Sequence, residues 1–191
     1  VVDNRRDLDV SVLIAAIPEE TVALAEVAAV LSQRVMSSLP EVESMTLVGA
    51  QAAMSCSNRF SDAGWSGPAA DAASLAVERL SKSTEEPGRG RLLGRALTNL
   101  SNRLWEVGRL DECVVPARHS VEVLRVNDAP ATELAAALNN LAFRLTENGQ
   151  IDRAAGLANE ALTLCQSGQS DSLDERDKTL GSVLNNLSCI L

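Results

Sequence analysis

Three short segments of this chain read as copies of one another. Ser57-Asn58-Arg59-Phe60, Ser101-Asn102-Arg103-Leu104 and Ala142-Phe143-Arg144-Leu145 each precede a glycine, Gly64, Gly108 and Gly149, and those glycines stand 44 and 41 residues apart. Asn186-Leu187 follows Asn140-Leu141 by 46 residues and opens a fourth copy. After each glycine the small residues also align: Ala73 with Ala117 and Ala158, and Ala76 with Ser120 and Ala161. A unit repeated at such a period cannot bury its own apolar face, so the copies must stack into an array.

Periodicity defines the unit as helix, glycine turn, helix. Apolar residues recur at helical spacing over 91–107 and 111–126, over 130–148 and 151–166, and from 173 to the end. Earlier helices are expected over 19–39, over 42–63 up to Gly64, and after Gly67-Pro68 through Leu80. Leu8, Val12, Leu13 and Ile14 suggest a short helix ending before Pro18. Polar linkers are expected at 81–90, 126–129 and 167–172. The glycines supply the left-handed turn that a Cβ-bearing residue resists.

The core of such a chain is unusual. Of 191 residues 46% are hydrophobic, but the aromatics are only Phe60, Trp65, Trp105 and Phe143, with no tyrosine. Ala, Leu and Val must therefore fill the interior, which favours closely approaching helices over a β-sandwich. The fold expected is all-α, in one domain over 1–191. Within it lie degenerate helices at 1–40, repeats at 41–81, 91–126 and 130–167, and the first helix of a truncated repeat at 173–191.

Charge and chemistry narrow the function. A formal charge of −9 and the lack of a basic run argue against nucleic acid. Cys56, Cys113, Cys165 and Cys189 show no C-x-x-C pair and read as small apolar fillers. No apolar run approaches the ~20 residues of a membrane span. A cytoplasmic location is expected. The start at Val1 and the end within an apolar pattern suggest a segment of a longer protein.

Gly88-Arg89-Gly90-Arg91-Leu92-Leu93-Gly94 lacks the Gly-Lys-Ser/Thr end and the preceding strand of a phosphate loop. His119, the only histidine, lies six residues from Cys113, on a different helix face, and is expected to be exposed. Asn99-Leu100-Ser101 and Asn186-Leu187-Ser188 match a glycosylation tripeptide but lie within helices. Pro116 should remove one hydrogen bond, to Glu112, early in its helix. No catalytic constellation, cofactor motif or metal-ligand spacing emerges, and the chain reads as no enzyme.

The repeat resembles the tetratricopeptide family. Leu97, Leu100, Ser101, Leu104, Gly108, Cys113, Ala117 and Ser120 occupy the family's large, small and turn positions. Leu138, Leu141, Ala142, Leu145, Gly149, Ala154, Ala158 and Ala161 do the same, and Ala53, Cys56, Ser57, Phe60, Gly64, Ala69, Ala73 and Ala76 form a poorer copy. The resemblance implies a right-handed α-α superhelix whose concave wall binds a protein or extended peptide. Carried onto this chain, that wall takes Asn58 from the first good repeat, and Arg95, Asn99, Asn102, Trp105 and Glu106 from the second. Asn139, Asn140, Phe143 and Glu147 follow from the third and Asn185 from the fourth, with Thr98, Ala136, Ser182, Asn186 and Cys189 on the same face.

Asparagine carries both donor and acceptor and suits a peptide backbone, although at 99, 140 and 186 the family commonly uses it for packing. Arg59, Arg103 and Arg144 should pair with Asp62, Glu106 and Glu147, three residues on. The expected function is a non-catalytic protein- or peptide-binding scaffold, a sensor or adaptor segment of a larger signalling protein, with no nucleic-acid or membrane partner. The alternative is a structural spacer or self-association module of a multidomain ATPase or protease-like protein, with Leu184, Leu187 and Leu191 awaiting cover from another domain or copy.

Overall fold

The computed structural model describes residues 25–38, 47–82, 87–167 and 173–190, which form eight helices and no strand. The short helix expected at 8–14, the first residues of the 19–39 and 42–63 helices, and Leu191 lie outside the described residues. Two compact units divide between Ser83 and Thr84. The first holds α1 (Ala25–Ser38), α2 (Leu47–Asp62) and α3 (Ser66–Lys82). The second holds α4 (Arg89–Glu106), α5 (Leu110–Val126), α6 (Ala131–Glu147), α7 (Ile151–Ser167) and α8 (Leu173–Ile190). The fold is all-α, built from antiparallel helix pairs.

The turn glycines do what the repeat requires. Gly64, Gly108 and Gly149 have φ of 76°, 78° and 69°. Each closes the same double hydrogen bond: Gly64 N–H to Ser61 and Trp65 N–H to Phe60, Gly108 to Trp105 and Arg109 to Leu104, Gly149 to Thr146 and Gln150 to Leu145. That pair of bonds caps the last carbonyls of a helix and reverses the chain, so each first helix lies antiparallel to its second. Where no glycine stands, Asp128 takes φ 46° at the link from α5 to α6, and the same bonds run from Asp128 to Arg125 and from Ala129 to Leu124.

The starts of α3 and α4 differ from expectation. α3 begins at Ser66, so Gly67 and Pro68 lie within its first turn, and α4 begins at Arg89 instead of 91. First-turn N–H groups have no intrahelical acceptor, so a proline costs nothing there. Pro116 is buried within α5, which continues through it from Leu110 to Val126.

Small side chains set the packing distance. Ala73, Ala76, Ser120, Ala158 and Ala161 are fully buried and Ala117 nearly so. Ser57 donates to the Ala69 carbonyl at 2.8 Å and Ser101 to the Cys113 carbonyl at 2.9 Å, one equivalent bond in each unit tying first helix to second. α4 and α5 also meet closely at Gly94, whose carbonyl accepts from Ser120 at 2.8 Å. In the second unit Leu104, Val121, Leu124, Leu138, Leu145, Val183 and Leu187 join the alanines in one core, and Phe60, Val35 and Cys56 centre a separate core in the first. Paired ions on the rim, Arg91 with Glu133 and Arg125 with Glu160, link equivalent helices of neighbouring pairs.

Candidate functional site

Within the second unit the first helices of successive pairs, α4, α6 and α8, lie side by side and enclose a groove of about 610 Å³. Residues three or four apart share a helix face, so α4 contributes Thr98, Asn102, Trp105 and Glu106, and α6 contributes Ala136, Asn139, Asn140, Phe143 and Arg144. From α8 come Lys178, Thr179, Ser182, Asn185, Asn186 and Cys189. The volume lies within the range of small-ligand and peptide side-chain sites.

The structure gathers Asn102, Trp105, Glu106, Asn139, Asn140, Phe143 and Asn185 into this groove and leaves four expected residues out of its lining. Asn58 is exposed on α2, in the other unit, and Arg95 and Glu147 are exposed on α4 and α6. Asn99 accepts from Arg103 Nε at 3.1 Å, and that arginine's Nη1 reaches both Glu106 oxygens, at 2.8 and 2.7 Å. The expected Arg103–Glu106 pair is therefore present.

Arg144 behaves differently. It does not close on Glu147 but crosses to α4, where Nη2 donates to Asn102 Oδ1 at 3.0 Å and Nε approaches Ser101 Oγ at 3.5 Å. Its side chain is only 4% exposed. Burial pushes its pKa below the ordinary arginine value, with Cys113, Glu147 and Glu106 opposing that shift; the guanidinium stays a cation all the same. Its central carbon lies 5.1 Å from the ring centres of both Trp105 and Phe143. Those rings meet edge to face, 5.6 Å apart at 73°. Trp105 nevertheless keeps 38% of its surface exposed to the groove side.

The asparagines carry the hydrogen-bonding capacity. Asn139 donates to Ser182 Oγ at 3.1 Å, and Asn186 donates to the backbone and side-chain oxygens of Asn139 at 3.2 and 3.1 Å. These bonds dock α8 on α6. Two buried amide atoms stay without a partner among the described residues: Asn140 Nδ2 and Asn186 Oδ1. Asn186, 5% exposed, thus packs the repeat while lining the groove.

Arg144, Lys178 and Thr179 were not among the residues expected on this wall. Lys178 and Thr179 lie one and two turns before Ser182 and Asn186 on the same face of α8, so extending the helical spacing backwards finds them. His119 is exposed, as expected. Among the described residues no cluster of three His, Cys, Asp or Glu is placed to hold a metal, and no helix is long and apolar enough to cross a membrane.

No family model matches the sequence, and no curated protein matches it. Solved structures do. The chain is similar to BtubC (BKLC) from P. vanneervenii, with a TM-score of 0.73 and 16% identity, over 95% of this chain and 70% of that one. It is also similar to the nearly identical TPR-like repeats described for a kinesin light chain of Podosopora anserina, with a TM-score of 0.62 and 14% identity over 88% and 87% of the two chains. A single-substitution variant of those repeats gives a TM-score of 0.64 at the same identity and coverage. At these identities the likeness is one of fold.

Proposed function

We propose that this chain is a non-catalytic scaffold whose groove between α4, α6 and α8 binds an extended peptide segment of a partner protein, and that it serves as the sensor or adaptor part of a larger signalling protein. The observation that carries this reading is the pair of buried, unpartnered amide atoms, Asn140 Nδ2 and Asn186 Oδ1, on equivalent positions of successive repeats. A buried polar group without a partner costs about 1–3 kcal/mol, so a ligand towards which these two amides turn, supplying an acceptor to one and a donor to the other, recovers that cost. A peptide backbone offers both at every residue, which makes the clamp tolerant of sequence. Trp105 and Phe143 supply the apolar wall that selects one side chain.

A peptide array probed with the parent and with Asn140→Ala and Trp105→Ala tests the reading. Loss of one backbone hydrogen bond should weaken binding by about 1 kcal/mol, roughly fivefold, and loss of a central tryptophan by about 2 kcal/mol or more. Unchanged binding of every peptide found would sink the groove reading.

The competing reading, a spacer or self-association module, is favoured by Leu184, which is 51% exposed on α8. Its other motive has weakened, because Leu187 is buried within the chain's own core. Light scattering that shows a monomer at high concentration removes self-association.

A further inference from the structure

Two aromatic rings set near right angles on the wall of an acidic chain form an arrangement that ordinarily attracts an ammonium or guanidinium group. Here the cation comes from within. Arg144 stands 5.1 Å from both ring centres, 4% exposed, and is tied to Asn102 Oδ1 at 3.0 Å. A ligand cation arriving at the same rings would meet a fixed positive charge instead of two free π-faces. The other charges of the groove point the same way. Glu106, the one carboxylate of the lining, is engaged through both oxygens by Arg103, and Lys178 is paired with Asp174 at 3.0 Å, so neither leaves an unmatched negative charge to draw a cation in.

We propose that Arg144 is a positioning and specificity residue of the groove: it holds Trp105 and Phe143 edge to face, occupies their cation-binding side, and commits this corner to an uncharged apolar side chain of the bound peptide. The proposal deepens the groove reading and rests on it for the word peptide. The state of the corner itself is independent of any partner. Asn102 thereby gains a role apart from ligand contact, since its side-chain oxygen holds the guanidinium in place.

The experiment uses the full chain carrying Trp65→Phe, which leaves Trp105 as its only tryptophan. The indole N–H signal of Trp105 is followed by NMR while tetramethylammonium and N-acetyl-leucine amide are titrated separately. The leucine amide should shift the signal and tetramethylammonium should not. In Arg144→Met, which keeps the bulk and removes the charge, tetramethylammonium should shift it too, and acrylamide should quench Trp105 more strongly as the ring loosens. Arg144→Lys, which restores a cation, should return the quenching towards the parent.

Tetramethylammonium shifting the parent signal as far as the leucine amide does would overturn the proposal, as would a leucine amide without effect. Equal quenching in the parent and a folded Arg144→Met would overturn the positioning role. If Arg144→Met loses its helical circular dichroism, the parent titrations alone decide the ligand class and Arg144→Lys decides the positioning: quenching unlike the parent's refutes a role carried by charge. A corner that responds as described while no peptide binds anywhere refutes the groove reading and leaves this one standing.

Discussion

Gly94 and Gly156 are both glycines inside helices, yet alanine should act on them with opposite sign. A Cβ built on Gly94 would lie 2.5 Å from both Cγ and Cδ2 of Leu124, where carbon atoms normally rest at about 3.5–4.0 Å. The leucine has nowhere to go, being 1% exposed, and the backbone of Gly94 is held to α5 by the 2.8 Å bond from Ser120. Overpacking of this kind costs about 1–3 kcal/mol, against a gain of about 1 kcal/mol in helix propensity. The net expectation for Gly94→Ala is a loss of about 1 kcal/mol, which corresponds to roughly 4 °C in Tm for a unit of this size. Gly156, exposed on α7, has nothing within 4 Å of its Cβ position, so Gly156→Ala should gain about 0.5–1 kcal/mol. Paired urea and thermal unfolding, followed by circular dichroism, measures both. If Gly94→Ala is as stable as the parent, or if both variants move in the same direction, the close approach of α4 and α5 is not what sets their spacing.

Asp128 holds a left-handed φ of 46° that glycine adopts freely, so Asp128→Gly should stabilise by up to about 1 kcal/mol in the same unfolding assay. A loss would show that its side chain contributes more than its backbone costs. Stability should also fall in alkali. Burial pushes the thiols of Cys56, Cys113 and Cys165 above their ordinary value of 9.0, so the unfolded chain releases these protons first. Their contribution is complete below about pH 9 and is lost as pH rises through the folded-state values. Unfolding free energy measured from pH 8 upward should decline, and replacing the three cysteines with alanine should flatten the decline; an equally steep fall in that variant would assign it to other groups.

The array was legible because its main constraint is local. A left-handed turn must be glycine or something that tolerates the strain, so Gly64, Gly108 and Gly149 gave the hairpins directly. The buried alanines of the second helices, and Ser120 among them, followed from the same alignment. What the sequence concealed was the choice between neighbours near in chain and neighbours near in space. Arg103 and Arg144 have the same glutamate three residues on, and only Arg103 uses it. Arg144 finds Asn102, 42 residues away, because the preceding pair of helices places an amide oxygen over its interhelical seam. No spacing rule within one helix sees that partner.

The same divergence decides which asparagines remain available to a ligand. Asn99 and Asn140 are equivalent by repeat, and each has an arginine four residues on. In α4 that arginine turns back and takes the Asn99 oxygen, closing the pair upon itself. In α6 it leaves for α4, and Asn140 keeps a buried donor without an acceptor. Asn186 has Ile190 at the corresponding place, so nothing on its own helix claims its oxygen, and that atom stays vacant as well. A ladder that looks uniform in sequence is therefore unequal in chemistry: the first rung is saturated by its own helix, the second offers a donor and the third an acceptor. Binding capacity should accordingly rest on α6 and α8, with α4 contributing Trp105 to the aromatic wall.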